Sequence, residues 1–357
     1  MKNRFKKHLK ALKRSRPETH PDPRRNLLLN RNERVTAHDE NTLRLLGEKI
    51  SKLNLNLYPD LEIFYRKLAD WLSLDEEQLY LTEGVSGAIK ALLETISGPR
   101  DNIVFPVPTF ALYPVYCRMF NLELRTAGYT RDYMLDIRAL KKAIDNKTAI
   151  VFLPNPNVPI EGTLDPEEIA SLAGYCAEKG AFLAVDEVYF SFGGPTAAGL
   201  IKKFDNIFVI RSFSKAFGLA GIRLGYLIGS GENIEYVSKM RTGYETNTVS
   251  AQIASFFMDN HSIVESYIRE VKEGLKYLKK ELDALGLEHN GGNSSNFLYV
   301  KTKNESQALK IKRGLENKNI RVRAGWPEPY SAGLCVTAGP KGAMRKFITE
   351  LTGILKK

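Results

Sequence analysis

From residue 78 to residue 229 the chain alternates runs rich in Val, Ile, Phe and Leu with helical or turn segments. No other feature restricts the fold as strongly, because hydrophobic periodicity is the main sequence signal of secondary structure. The apolar runs are "QLYLT" (78–82), "NIVFPV" (102–107), "LELRTAG" (122–128), "AIVFLPN" (149–155), "AFLAVDEV" (181–188), "IFVIRSFS" (207–214) and "IRLGYLIG" (222–229). Several are almost unbroken in apolar residues, as in strands covered on both faces. Helical patterns lie between them, such as "SGAIKALLETI" (86–96) and "DPEEIASLAGYCAEKG" (165–180). In the second, Asp165 is placed to cap the start and Gly180 lies past the end. The alternation predicts an α/β domain with a seven-stranded, mostly parallel sheet between helical layers. After a helical stretch over about 250–285 the pattern changes. "NFLYV" (296–300), a helix near 305–317, "NIRVRA" (319–324), "GLCVTAG" (333–339) and a last helix predict a smaller α+β lobe. A chain of 357 residues exceeds one ordinary core, which also favours two lobes. We expect a basic arm and linker over 1–45 that contributes to the small domain, a large domain over 46–255 and a small domain over 256–357.

Composition narrows the class. Hydrophobic residues make up 43% and charged residues 26%, as in soluble globular proteins. No eighteen apolar residues run together, so no membrane partner is expected. Cys117, Cys176 and Cys335 form no CxxC and are odd in number; reduced thiols and a cytoplasmic location follow. His8, His20, His38, His261 and His289 form no HxxxH or HxH pair, so no histidine metal site is expected. The net charge of +11 is concentrated: residues 1–25 hold ten Lys/Arg against Glu18 and Asp22. This segment reads as a solvated basic helix joined to the body by the Pro-rich "RPETHPDPRR" (16–25). It lacks the apolar core of a secretory signal. A nucleic-acid-binding arm is the rival reading of that charge.

Open parallel sheets bind ligands beyond the carboxyl ends of their strands. Polar residues gather there, in "LTEGVSGAIK", "PVPTFALY", "NPNVPIEG", "VDEVY" and "SFSK". Together they meet the needs of pyridoxal phosphate. Lys215 has apolar neighbours, with Arg223 eight residues on; both conditions favour the neutral amine that a Schiff base requires. A helix start at Val85 and Ser86 offers backbone N–H groups to a phosphate, joined by Ser212, Ser214 and Arg223. Asp186 is the carboxylate for a pyridinium nitrogen, whose protonated ring is the electron sink. Tyr189 and Asn157 are candidate partners of the phenolic oxygen, and Phe110 is placed to stack on the ring.

With these residues in view, the chain from about residue 26 onward resembles the class I/II aminotransferases of fold type I. "SFSKAFGLAGIRLGY", "VDEVY", "NPNVPIEG", "PTFALY" and "NLYPD" occur in family order and spacing. "LLLNRNER" and "SSNFLYV" make it most similar to the histidinol-phosphate aminotransferase branch. The resemblance implies a pyridoxal phosphate-dependent transaminase of amino-acid biosynthesis, catalysis by Lys215, Asp186 and Tyr189, and small-molecule amine and keto substrates. It implies a homodimer in which Tyr58 reaches the phosphate of the neighbouring subunit's cofactor, and no nucleic-acid partner is expected.

Three positions depart from the family pattern. Asn157-Val158-Pro159-Ile160-Glu161-Gly162 stands where the family has Asn-Asn-Pro-Thr-Gly, so Val158 fills the cofactor-contacting Asn position and Asn157 is expected to act from one residue back. Cys335 stands at the arginine of the late "LRIT.G" strand; a thiol cannot form the bidentate pair that a carboxylate prefers. "NERVTA" replaces the N-terminal "NENPYG", and Arg34, with Arg31, is a candidate replacement cation. Substrate binding is therefore expected from Arg323, Asn32 and Arg34, with a phosphate or similar anion remote from the amine. The alternative enzymatic reading is a decarboxylase of an amino-acid phosphate, chemistry found in a similar sub-branch.

Overall fold

The computed structural model describes residues 5–13 and 21–356. Twelve strands lie among them: β1 (Leu27–Leu29), β2 (Leu79–Thr82), β3 (Asn102–Pro106), β4 (Glu123–Ala127), β5 (Thr148–Pro154), β6 (Phe182–Asp186), β7 (Ile207–Ser212), β8 (Gly225–Ile228), β9 (His289–Gly291), β10 (Phe297–Lys301), β11 (Ile320–Val322) and β12 (Gly333–Thr337). The seven apolar runs form one sheet in the order β2-β8-β7-β6-β5-β3-β4. Neighbours are parallel from β7 to β4, whereas β8 is antiparallel to both β2 and β7. The expected α/β class with a seven-stranded, mostly parallel sheet is therefore observed.

Burial on both faces explains the apolar runs. Val104, Val151, Leu183, Val185 and Val209 enter one hydrophobic cluster. Ile103, Phe105, Ile150, Phe152, Ala184 and Phe208 enter a second. Alternating side chains thus reach opposite faces, and neither face meets water. The helix Pro166–Glu178 starts at Asp165, whose side chain accepts from Glu167 N and Glu168 N, while Glu168 returns a bond to Asp165 N at 3.0 Å. That reciprocal cap fixes where the chain leaves the β5 loop.

The smaller lobe contains the antiparallel sheet β12-β10-β9. β1 pairs with β11, which tethers the N-terminal segment to this lobe. Of the basic arm, one 3-10 turn at Lys7–Ala11 is described; His8 Nε2 meets Met119 O at 3.0 Å. Residues 16–20 of the Pro-rich linker lie outside the described residues. No described helix is long and apolar enough to cross a membrane.

The helix His261–Ala284 packs against the last helix, Lys341–Leu355. Their approach requires Gly274, because a Cβ there would lie 1.8 Å from Gly339 O. Gly274→Ala is expected to destabilise the protein by about 1–3 kcal/mol through overpacking. A lowered denaturation midpoint checks this; an unchanged one would show that the helices separate freely.

Candidate active site

Strand ends surround an open cavity of about 740 Å³, solvent at its mouth included. Val85 and Ser86 follow β2, Phe110 follows β3, and Pro154, Pro156 and Val158 lie at and beyond the end of β5. β6 contributes Asp186, with Val188 and Tyr189 just beyond, and β7 leads into Ser212, Ser214 and Lys215. Arg223 joins them because β8 runs against its neighbours: Gly225, its first residue, pairs with both Thr82 and Ser212.

One end of the cavity is built for an anion. The helix Gly84–Ile96 presents its first turn, whose N–H groups lack partners within the helix. Gly84 has φ 65°, and a Cβ there would lie 2.9 Å from Arg223 Nη2. Only glycine allows this approach without strain. Arg223, itself left-handed at φ 56°, donates through Nη1 to Ala220 O at 3.1 Å. The Ser212 and Ser214 hydroxyls lie 2.9 Å apart.

Of the two central charges Asp186 is buried and Lys215 largely so. Lys215 Nζ donates to Arg31 O at 2.9 Å. Burial pulls its pKa down to about 8, assisted by Arg223 and opposed by Glu33 and Asp186. Burial also pushes Asp186 up to about 6, while hydrogen bonds from Tyr113 and from Val188 N hold it down. Tyr113 Oη donates to Asp186 Oδ2 at 2.7 Å, and Val188 N to Oδ1 at 3.2 Å. Phe110 lines the cavity and meets the Tyr113 ring edge-on at 6.0 Å. Just beyond Asp186, the buried Glu187 pairs with Arg211 at 2.9 Å and accepts from Thr196 and Ala197.

Five of the expected site residues do not line the cavity of this chain: Asn157, Arg34, Asn32, Tyr58 and Arg323. Asn157 is not brought to the cavity: its Nδ2 donates to Pro108 O and its Oδ1 accepts from Thr109, both at 2.8 Å. Val158 lines the wall instead. Arg34 turns away and stacks over Tyr267 at 3.9 Å, against Gly218. Asn32 uses both ends of its side chain, donating to Tyr189 Oη at 2.8 Å and accepting from Thr337 at 3.0 Å. Its amide is thus engaged with Tyr189 and Thr337, outside the residues that line the cavity. Tyr58 is 81% exposed and stacks on Tyr244; it does not line the cavity of its own chain.

Arg323 is exposed, stacks on Trp326 at 4.1 Å and bonds through its backbone to Cys335. Burial pushes the Cys335 thiol up to about 12. Two residues escaped sequence reasoning. Tyr113 lies in the first turn of the helix Leu112–Phe120, just after Phe110, within the quoted "PTFALY". Glu33 lines the cavity from within "NRNER", where the arginines drew attention.

Fold and cavity define a pyridoxal phosphate enzyme of fold type I. The chain belongs to the class I and II aminotransferases, whose family pattern matches residues 28–351. Histidinol-phosphate aminotransferase from Caldanaerobacter subterraneus subsp. tengcongensis is 28% identical over 329 residues, 88% of this chain and 89% of that one. Histidinol-phosphate aminotransferase 1 of Carboxydothermus hydrogenoformans is 30% identical over 338 residues, 92% of each. The crystal structure of the Sinorhizobium meliloti histidinol-phosphate aminotransferase with pyridoxal-5'-phosphate matches with a TM-score of 0.89 at 19% identity, over 99% of this chain and 98% of that one.

The residues present fit that cofactor. The cavity pairs an anion cradle without Cβ at Gly84 with a buried amine and a buried carboxylate. Neutral amine at Lys215 is required for covalent attachment, and half is neutral near pH 8 rather than at lysine's ordinary 10.5. Capture of pyridoxal phosphate by the cofactor-free protein, followed by visible absorbance, should rise with pH through a midpoint near 8. Glu33 favours the ammonium, so Glu33→Gln should lower that midpoint. A midpoint near 10.5 would contradict the buried setting of Lys215.

Proposed function

We propose that this aminotransferase acts on a small primary amine bearing a phosphate or similar anion remote from the amine, with Arg323 as the anion's partner. The observation that carries this reading is the exchange at β12. Cys335, a buried thiol, occupies the position where the family pattern has a carboxylate-binding arginine. Arg323 is the guanidinium bonded through its backbone to that position, and it is open to solvent. The similarity to histidinol-phosphate aminotransferases supports the same substrate chemistry.

The chain's groups divide the work. Ser212, Ser214, Arg223 and the Val85 and Ser86 amides would hold the cofactor phosphate. Asp186 would keep the ring nitrogen protonated, and Phe110 would flank the ring. The cofactor supplies an electron sink for the substrate carbon. Lys215, with an amine that titrates near neutrality, moves the proton at that carbon.

The protein acts as a cytoplasmic homodimer. Tyr58, Leu55 and Leu57 are 81%, 65% and 62% exposed, a patch that a partner subunit would cover. The groove they line shares Arg223 with the phosphate end, which suits a Tyr58 that completes the partner's site.

The test is a panel of amines, amino acids and amino-acid phosphates added to the cofactor-loaded enzyme, with products identified. Loss of the visible band with a keto product is expected for phosphate-bearing amines. Arg323→Ala should raise KM for them by about 10–100-fold, the loss of one charge-assisted pair. It should leave KM for amines without the anion unchanged. Efficient turnover of glutamate and aromatic amino acids with no effect of Arg323→Ala sinks the substrate reading. Carbon dioxide without a keto product would establish the decarboxylase instead.

A further inference from the structure

Pyridoxal phosphate carries a phenolic oxygen on the ring carbon next to the one that bears the aldehyde, the group that Lys215 would engage. Charge on that oxygen sets how tightly the attached lysine nitrogen holds its proton. A hydrogen-bond donor draws charge away and weakens that hold. The identity and aim of the donors are therefore a lever on the cofactor's chemistry.

In this chain the lever rests on one side chain. Val158 lines the wall where the family pattern has an asparagine, and it has no donor. Asn157 is committed to Pro108 O and Thr109. Tyr189 remains. Its ring lies 5.8 Å from Lys215 Nζ, and burial raises its pKa above the ordinary tyrosine value, so it stays a donor. A phenol has one proton to give and lone pairs to accept with. Where that proton points depends on what else the hydroxyl meets.

It meets Asn32. The orientation of the Asn32 amide is set by Thr337, whose Oγ1 accepts the Asn32 backbone N–H at 2.9 Å and donates its own proton to Asn32 Oδ1 at 3.0 Å. Nδ2 is left facing Tyr189 Oη, to which it donates at 2.8 Å. Asn296 Nδ2 holds the Asn32 carbonyl at 3.2 Å, and Asn32 sits in the left-handed region at φ 54°. Both ends of the amide are buried and satisfied. With a lone pair taken by Asn32, the Tyr189 proton is free to turn into the cavity.

We propose that Asn32 is a positioning residue that aims the Tyr189 hydroxyl proton at the phenolic oxygen of pyridoxal phosphate, where Tyr189 is the principal side-chain donor. The inference rests on the cofactor assignment above. It makes the proton affinity at Lys215 dependent on a residue of the N-terminal segment, held by Thr337 at the end of β12 and by Asn296 just before β10.

The test is the pH midpoint of the visible band of the pyridoxal phosphate-loaded protein, for Tyr189→Phe, Asn32→Gly, Asn32→Asp and the Tyr189→Phe/Asn32→Gly double variant. Glycine deletes the amide while accepting φ 54°. Aspartate keeps the shape but cannot donate, so the Tyr189 proton would turn back toward it. Tyr189→Phe should raise the midpoint by about one to two pH units, roughly 10–100-fold in proton affinity, as expected for one lost charge-assisted bond. Both Asn32 variants should raise it in the same direction. The double variant should go no higher than Tyr189→Phe alone, because Asn32 acts through Tyr189. Asn32 variants that leave the midpoint in place, or a shift that adds in full to that of Tyr189→Phe, overturn the proposal. Absence of any visible band that Lys215→Ala abolishes would instead remove the cofactor assignment beneath it.

Discussion

A sheet buried on both faces can carry polar chemistry only where its strands end. In β3, β5, β6 and β7 alternate side chains go to two separate hydrophobic clusters, so neither face can hold a charge at acceptable cost. The lysine, the carboxylate and the anion cradle are therefore collected at one edge. The reversal of β8 extends that edge. It brings the start of a strand beside the ends of β2 and β7 and so delivers Arg223. The backbone must be thin for this to work. A Cβ on Gly225 would lie 2.7 Å from Arg211 O and 2.9 Å from the Gly84 Cα, so the close crossing excludes side chains at both glycines.

Burial then acts on both central charges at once and in opposite senses. It lowers Lys215 to about 8 and raises Asp186 to about 6, each toward its neutral form. Neither is left unpartnered. Arg31 O accepts from Lys215, while Tyr113 and Val188 N donate to Asp186. These bonds limit the shifts and fix the two side chains in direction. The neighbouring Glu187–Arg211 pair is also buried and is anchored on Thr196 and Ala197. Removing one member of such a pair costs several kcal/mol, about 3–5. Its place directly between Asp186 and Tyr189 in sequence makes it a brace for the turn that carries Tyr189.

Residues at or just past strand ends were largely readable, whereas several in the connecting loops were not. The seven strands follow from apolar continuity, and the strand-end rule leads to Asp186, Ser212 and Lys215. Beyond a strand end, periodicity no longer says where a side chain points. Asn157 and Val158 are adjacent, yet the valine faces the cavity while Pro108 O and Thr109 hold the asparagine aside. Among Asn32, Glu33 and Arg34 the same holds: Glu33 faces the cavity, Asn32 reaches Tyr189, and Arg34 lies on Tyr267. A stacking partner 233 positions away leaves no trace in local sequence.

The two departures from the family pattern at Val158 and Cys335 have a common consequence. Each replaces a polar side chain by one that carries no charge at neutral pH: Val158 has no polar atom, and burial pushes the Cys335 thiol up to about 12. Tyr189 remains as a polar group on that wall, and its hydroxyl is bonded to Asn32. Asn32 is held in turn by Thr337, two residues from Cys335 on β12. On the proposal above, the control that a fixed wall asparagine would exert passes to Tyr189, aimed through Asn32 and Thr337. A wall residue tunes a cofactor by its mere presence. A relay through Thr337 and Asn32 would do so only while β12 and the N-terminal segment keep their distances to Tyr189.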